Sequence, residues 1–204
     1  MSRNYIIKFG ILFLLLLFAF LLSLVYGGSE TIAFNWNPEN FIFHNIRIPK
    51  TITALIAGGA LAISGLILQI IFRNPLAGPY VLGISSGAAL MVAVSVLAGN
   101  SLYMVSEFFG GRTFIVLSAI TGCFLITLLI LFVSKKVSSN VVLLLIGLMF
   151  SQICGALQTA LEYFADPSAL KNFVVWGMGS VSNTSNNDLL LFVPFTIVCI
   201  AGLI

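Results

Sequence analysis

Twenty-one consecutive residues, Ile52 to Phe72, carry no charge; they end at Arg73-Asn74-Pro75, and a second apolar run follows from Tyr80. A helix rises about 1.5 Å per residue, so the first run is long enough to cross a hydrocarbon layer of about 30 Å. Composition decides between a membrane span and the heart of a large soluble core. The chain has 204 residues, 60% hydrophobic and only 7% charged, where a soluble domain carries about 25% charged residues. This is the composition of an integral membrane protein. Within the run, Gly58, Ala62, Gly65 and Gln69 step by 4, 3 and 4 and so share one helix face. Small residues let another backbone approach in lipid, and a buried amide needs a partner. The span is expected to be packed, with a tight inner side.

Taken in order, the chain reads as an all-α polytopic transmembrane bundle, a single domain over 1–204. Span one is expected over Ile6–Tyr26, retained rather than cleaved, with Arg3 and Lys8 on the cytoplasmic side. A polar outer loop from Ser29 to Asn45 leads to span two, Ile48–Phe72. Pro75 and Pro79 stop that helix and start span three, Tyr80–Leu97, in which Gly83-x-x-x-Gly87 reads as a helix–helix contact. After an outer loop from Ala98 to Arg112, span four (Thr113–Ser134) ends at Lys135-Lys136 on the cytoplasmic edge. Span five is Val141–Phe164. Ser168–Ser180 is too short to cross and reads as an interfacial or re-entrant helix. Span six begins near Asp188 and is still apolar at Ile204. The basic residues favour this threading by five inside to four outside.

Several functions are excluded by what the chain lacks. Cys123, Cys154 and Cys199 sit in apolar runs without a Cys-x-x-Cys neighbour, and His44 is the one histidine, so a histidine metal cluster cannot come from this chain. No Walker-type phosphate loop or His-Glu-x-x-His helix is present, so any ATP hydrolysis belongs to another polypeptide. The net charge of +3 is dispersed and offers no patch for nucleic acid. A membrane-embedded enzyme would need a metal or nucleophile constellation that the sequence does not supply. An ion-coupled secondary transporter or channel is the alternative class. Such proteins place ionisable groups near the midplane, whereas spans two and three have none and Glu162 lies near a helix end.

The candidate positions are few. Arg47 and Lys50 stand at the outer mouth of span two, where spacing alone reads as cationic heads reaching interfacial water. Ser151, Gly155, Gln158 and Glu162 step by 4, 3 and 4 on one face of span five; a hydrogen-bonded seam and the lining of a passage fit equally. Ser138, Ser139 and Asn140 make a tight cytoplasmic turn. Asn74 and Pro75 set helix geometry at the inner face.

The ordered pieces RIPKT, GGALAISGLILQ and RNPLAGPYVLGISSGAAL resemble the signature of the FecCD-type permeases, membrane subunits of ATP-driven importers for iron–siderophore complexes, haem and cobalamin. LLLIGLMFSQICGAL and VVWGMGS agree further along, and the likeness covers roughly Trp36 to Asp188. It implies a multi-pass subunit of the bacterial inner membrane, working as a homodimer or pseudo-dimer with ABC ATPase subunits and an extracytoplasmic substrate-binding protein. ATP would be held by the partner, with no cofactor on this chain. Relatives have about ten spans, so the chain is expected to stop within the sixth, before the segment that docks the ATPase. The resemblance gives Arg47 and Lys50 a role in docking the binding protein through its carboxylates. Relatives carry arginine where Lys50 stands, so the planar two-bond fork is lost there. It places the inner gate at Ser138–Asn140 and span five beside the central passage. Glu162 departs from the family pattern. Iron–siderophore, haem and cobalamin all stay open as cargo.

Overall fold

The computed structural model describes residues 3–25, 41–97, 111–181 and 184–202. The expected outer loops over 29–40 and 98–110 lie outside these residues. Seven α-helices are described: α1 (Arg3–Val25), α2 (Ile48–Phe72), α3 (Ile84–Leu97), α4 (Gly111–Ser134), α5 (Asn140–Tyr163), α6 (Pro167–Gly177) and α7 (Asn186–Ala201). Among the described residues, four segments are long and apolar enough to cross a bilayer: Tyr5–Val25, Phe43–Phe72, Thr113–Ser134 and Asn140–Tyr163. Of the six spans expected, α3 and α7 are therefore shorter than a self-sufficient crossing. The chain divides into two compact units, Met1–Leu61 with Val181–Ile204, and Ala62–Ser180.

In the first unit, α1 is apolar beyond Lys8 and most of its Leu and Phe side chains are exposed, as a helix facing lipid requires. Residues 41–47, partly assigned to a loop from sequence, are helical. Phe43–Arg47 is a wide π turn, closed by the Ile48 amide donating to the Phe43 carbonyl five residues back. α7 opens with a capping box, Ser185 and Asp188 each satisfying the other's backbone amide. That removes orphan donors at a helix start. Asn186 Nδ2 donates to Asn45 Oδ1 at 3.1 Å, joining the start of α7 to the π turn.

The second unit is built on α3. The end of α2 is closed by two bonds, Arg73 N to Ile70 O and Asn74 N to Gln69 O, with Arg73 in the left-handed region at φ 46°. This is the Schellman arrangement. It recurs ten residues on: Gly83 N reaches Tyr80 O, Ile84 N reaches Pro79 O, and Gly83 has φ 76°. That second left-handed residue is why α3 starts at Ile84 and not at Tyr80, a correction to the expected span three. Fourteen residues give a helix of about 21 Å. Packing compensates: Val92 and Ala93 are wholly buried, and irregular backbone at membrane depth is tolerated where protein surrounds it.

The close packing expected along α2 lies elsewhere. Among the described residues, nothing approaches within 4 Å of a Cβ built on Gly58, Gly59 or Gly65. Backbone meets backbone instead at α3. A Cβ on Gly122 of α4 would overlap the Gly87 carbonyl, and one on Gly147 of α5 would lie 2.9 Å from Leu82 Cα. Side chains fill in on either side of these contacts. Phe72, Leu82, Ile126, Leu143 and Cys154 form one buried cluster, and Val92, Ala93, Leu97 and Phe173 another. Phe173 belongs to α6, whose 11 residues are too few to cross, as expected. This short helix covers the end of α3 and leaves Val174, Val175 and Met178 exposed.

Candidate functional site

Arg47 and Lys50, adjacent in the motif, are placed differently. The Arg47 side chain is 6% exposed, and its Nη1 donates to the carbonyls of Leu24 and Val25, each at 2.9 Å. Those are orphan acceptors at the end of α1, where a cation also faces the negative end of the helix dipole. One turn on, Thr51 Oγ1 lies 3.0 Å from Ser23 Oγ. The first residues of α2 are thus fastened to the end of α1, while Lys50 is exposed.

At the opposite end of α2, the turn residues share one tie. Ser138 and Ser139 are exposed, and Ser139 is the extended N-cap of α5 without a side-chain cap bond. Asn140 is already helical, and its Nδ2 donates to the Phe72 carbonyl at 3.3 Å. The expected gate turn is therefore bonded to the last residue of α2. Asn74 Oδ1 accepts from the Leu76 amide at 2.9 Å, an Asx turn that holds the following Pro75 loop.

The stripe on α5 divides along its length. Ser151 Oγ lies 2.6 Å from Ser86 Oγ of α3, a seam contact in the interior of the unit. Gly155 has open space above it. Gln158 Nε2 donates to Glu162 Oε1 at 2.8 Å, so the two outermost members pair along the helix and both stay half-buried. Just beyond, Asp166 caps α6. It accepts from the Ser168 hydroxyl and, at 3.0 Å, from the Ser168 amide. The hydroxyl first and then the backbone amide hold its carboxyl below the ordinary value of 3.8.

Reading the sequence missed Gly122 and Gly147 as packing positions. A signal existed for both. Ser118-x-x-x-Gly122 and Gly147-x-x-x-Ser151 are small residues a turn apart, the spacing that admits a close neighbour in lipid. The latter extends the α5 stripe one turn inward.

Apolar helices of crossing length and a glycine seam at the centre of one unit define a polytopic α-helical membrane protein. The chain belongs to the FecCD transport family, whose defining pattern matches residues 9–204. It is 35% identical over 186 residues to the hemin transport system permease protein HmuU of Yersinia pestis, covering 87% of this chain and 54% of that protein. It is 38% identical over 137 residues to the vitamin B12 import system permease protein BtuC of Pectobacterium atrosepticum, covering 67% of this chain and 39% of that protein. A solved structure described as an inward-facing conformation of a metal-chelate type ABC transporter superimposes with a TM-score of 0.76 at 33% identity, over 95% of this chain and 59% of that one. The chain thus spans about half the length of the relatives it matches.

Proposed function

We propose that this chain serves as part of the membrane permease subunit of an ATP-binding-cassette importer that carries an iron–siderophore, haem or corrinoid complex across the bacterial inner membrane. The observation that carries this reading is the family match over residues 9–204, supported by a fold shared over 95% of the chain with a metal-chelate type transporter. The permease supplies a passage, gates and docking surfaces. ATP binds and is hydrolysed on an ATPase partner, a binding protein delivers cargo to the outer mouth, and a second permease copy completes the passage.

Within that reading the two outer cations divide the work. Lys50, exposed on the first turn of α2, meets carboxylates of the binding protein. Arg47 fixes the helix start that presents it. Gly155, Gln158 and Glu162 line the route, while Ser151 anchors the lining helix to α3. The turn at Ser138 and Ser139 is the inner gate, and Asn140 links its movement to the end of α2.

The test is growth of a transport-deficient strain on haem, a ferric siderophore or cobalamin, with the full-length permease expressed beside its ATPase and binding protein. Rescue on one of the three is expected; failure on all would overturn the reading. Lys50→Glu in that strain is expected to weaken capture of the binding protein about tenfold or more, since it replaces an attraction by a repulsion at the same point. Equal capture by the variant would remove Lys50 from the docking surface.

A further inference from the structure

One surface of the second unit is not used by any role above. On α4, Leu125, Leu128, Leu129 and Phe132 follow the i, i+3, i+4, i+7 spacing of a single helix face, and they are 47%, 45%, 44% and 62% exposed. With Leu131, Ser134 and Lys135 they line a shallow, open groove of about 680 Å³ along this one helix. One turn beyond Phe132, the Lys136 ammonium stands 5.4 Å from the centre of its ring. Both lysines are exposed, and no acidic residue occurs from Gly111 to Leu161 to neutralise them.

Length and charge together select an occupant. From Leu125 to Lys135 the helix rises about 15 Å, the depth of one leaflet of a hydrocarbon core of about 30 Å. The groove therefore runs from the headgroup level to the bilayer midplane, apolar throughout its depth and cationic at its polar end. A phospholipid with a negatively charged headgroup fits both parts. We propose that this face of α4 is a binding site for an anionic phospholipid, one acyl chain lying along Leu125, Leu128 and Leu129 and the phosphate seated between Lys135 and Lys136. Anionic lipids are abundant in the cytoplasmic leaflet, and each lysine near that surface strengthens the attraction.

The full-length permease is reconstituted in nanodiscs of mixed phosphatidylglycerol and phosphatidylcholine, and the lipids that remain bound after extraction are counted by native mass spectrometry. The wild-type chain is expected to retain phosphatidylglycerol over phosphatidylcholine by about tenfold. The double variant K135Q/K136Q is expected to lose that preference, while K8Q, with a lysine removed from α1, keeps it. Circular dichroism of the double variant establishes that it is folded. No preference in the wild type, or the same preference in K135Q/K136Q, would overturn the proposal. Displacement of the lipid by inorganic phosphate alone would reassign the lysines to a free anion and overturn it too. So would a disulfide-linked dimer of Leu129→Cys in native membranes, which would give the groove to a second copy of the chain.

Discussion

Asp166 shows how much one side chain settles at the edge of the bilayer. Pro167 at the first helical position needs no amide partner, and the carboxylate takes the Ser168 amide and hydroxyl, so an 11-residue helix acquires a definite start. The carboxyl is held below its ordinary value of 3.8 by those bonds. A depressed folded value means that the stabilisation is complete above the unfolded value and is lost as pH falls through the folded one. The protection of amides in the first turn of α6, taken relative to the intrinsic exchange rate at each pH, is therefore expected to be constant from neutrality down to about pH 5 and to fall below about pH 4. Asp166→Ala should show the lowered protection at every pH, and protection in the wild type that stays flat through acid would count against the cap. The Asp-Pro-Ser string announces this cap in the sequence. Arg47 announces nothing comparable. Its spacing fits a cation reaching interfacial water, and its burial against Leu24 and Val25 depends on where α1 ends in space.

Among the elements, the decisive contacts are glycine against backbone. Gly122→Val would drive a branched side chain into the Gly87 carbonyl. Overpacking of this kind costs about 1–3 kcal/mol or more. Gly155→Val, at a position with open space, is expected to stay within about 0.5 kcal/mol. Unfolding of both variants in mixed micelles with a denaturing detergent measures the difference, and equal stabilities would mean that α3 and α4 are not in contact at Gly122. Helices α2, α4 and α5 were legible almost residue for residue, because long uncharged runs bounded by Pro, Lys and Asp leave little choice of ends. The start of α3 was not. Tyr80, Val81 and Leu82 continue the apolar pattern smoothly, and the left-handed turn at Gly83 leaves hydropathy unchanged. The tight face was assigned to α2 for a related reason. Periodicity identifies faces able to pack closely, while the choice among such faces is made by which helices become neighbours.

For the whole molecule, the sidedness of the second unit follows from the length of α5. Its 24 residues rise about 36 Å, with Lys135 before one end and Lys171 beyond the other. The Asn140–Phe72 bond keeps Arg73 near the Lys135 end. Cysteines at positions 73 and 135 are therefore expected to react with an impermeant thiol reagent from the same face of sealed membrane vesicles, and one at 171 only from the opposite face. Labelling of 135 and 171 from one face would overturn the threading and, with it, the assignment of an inner gate. The all-α polytopic class needed only composition and run lengths. The docking and gate candidates were legible only through the resemblance, while the spacing of the α5 stripe fitted a hydrogen-bonded seam and a passage lining equally.

The abutment of Gly83 on Gly147 and of Gly87 on Gly122 has a dynamic corollary. Glycines seated against the backbone of a facing helix leave little slack for one helix to slip along another by part of a turn, so α3, α4 and α5 form one rigid block. Bending is left to the segments around Asn74 and Ala165, where the chain enters and leaves that block.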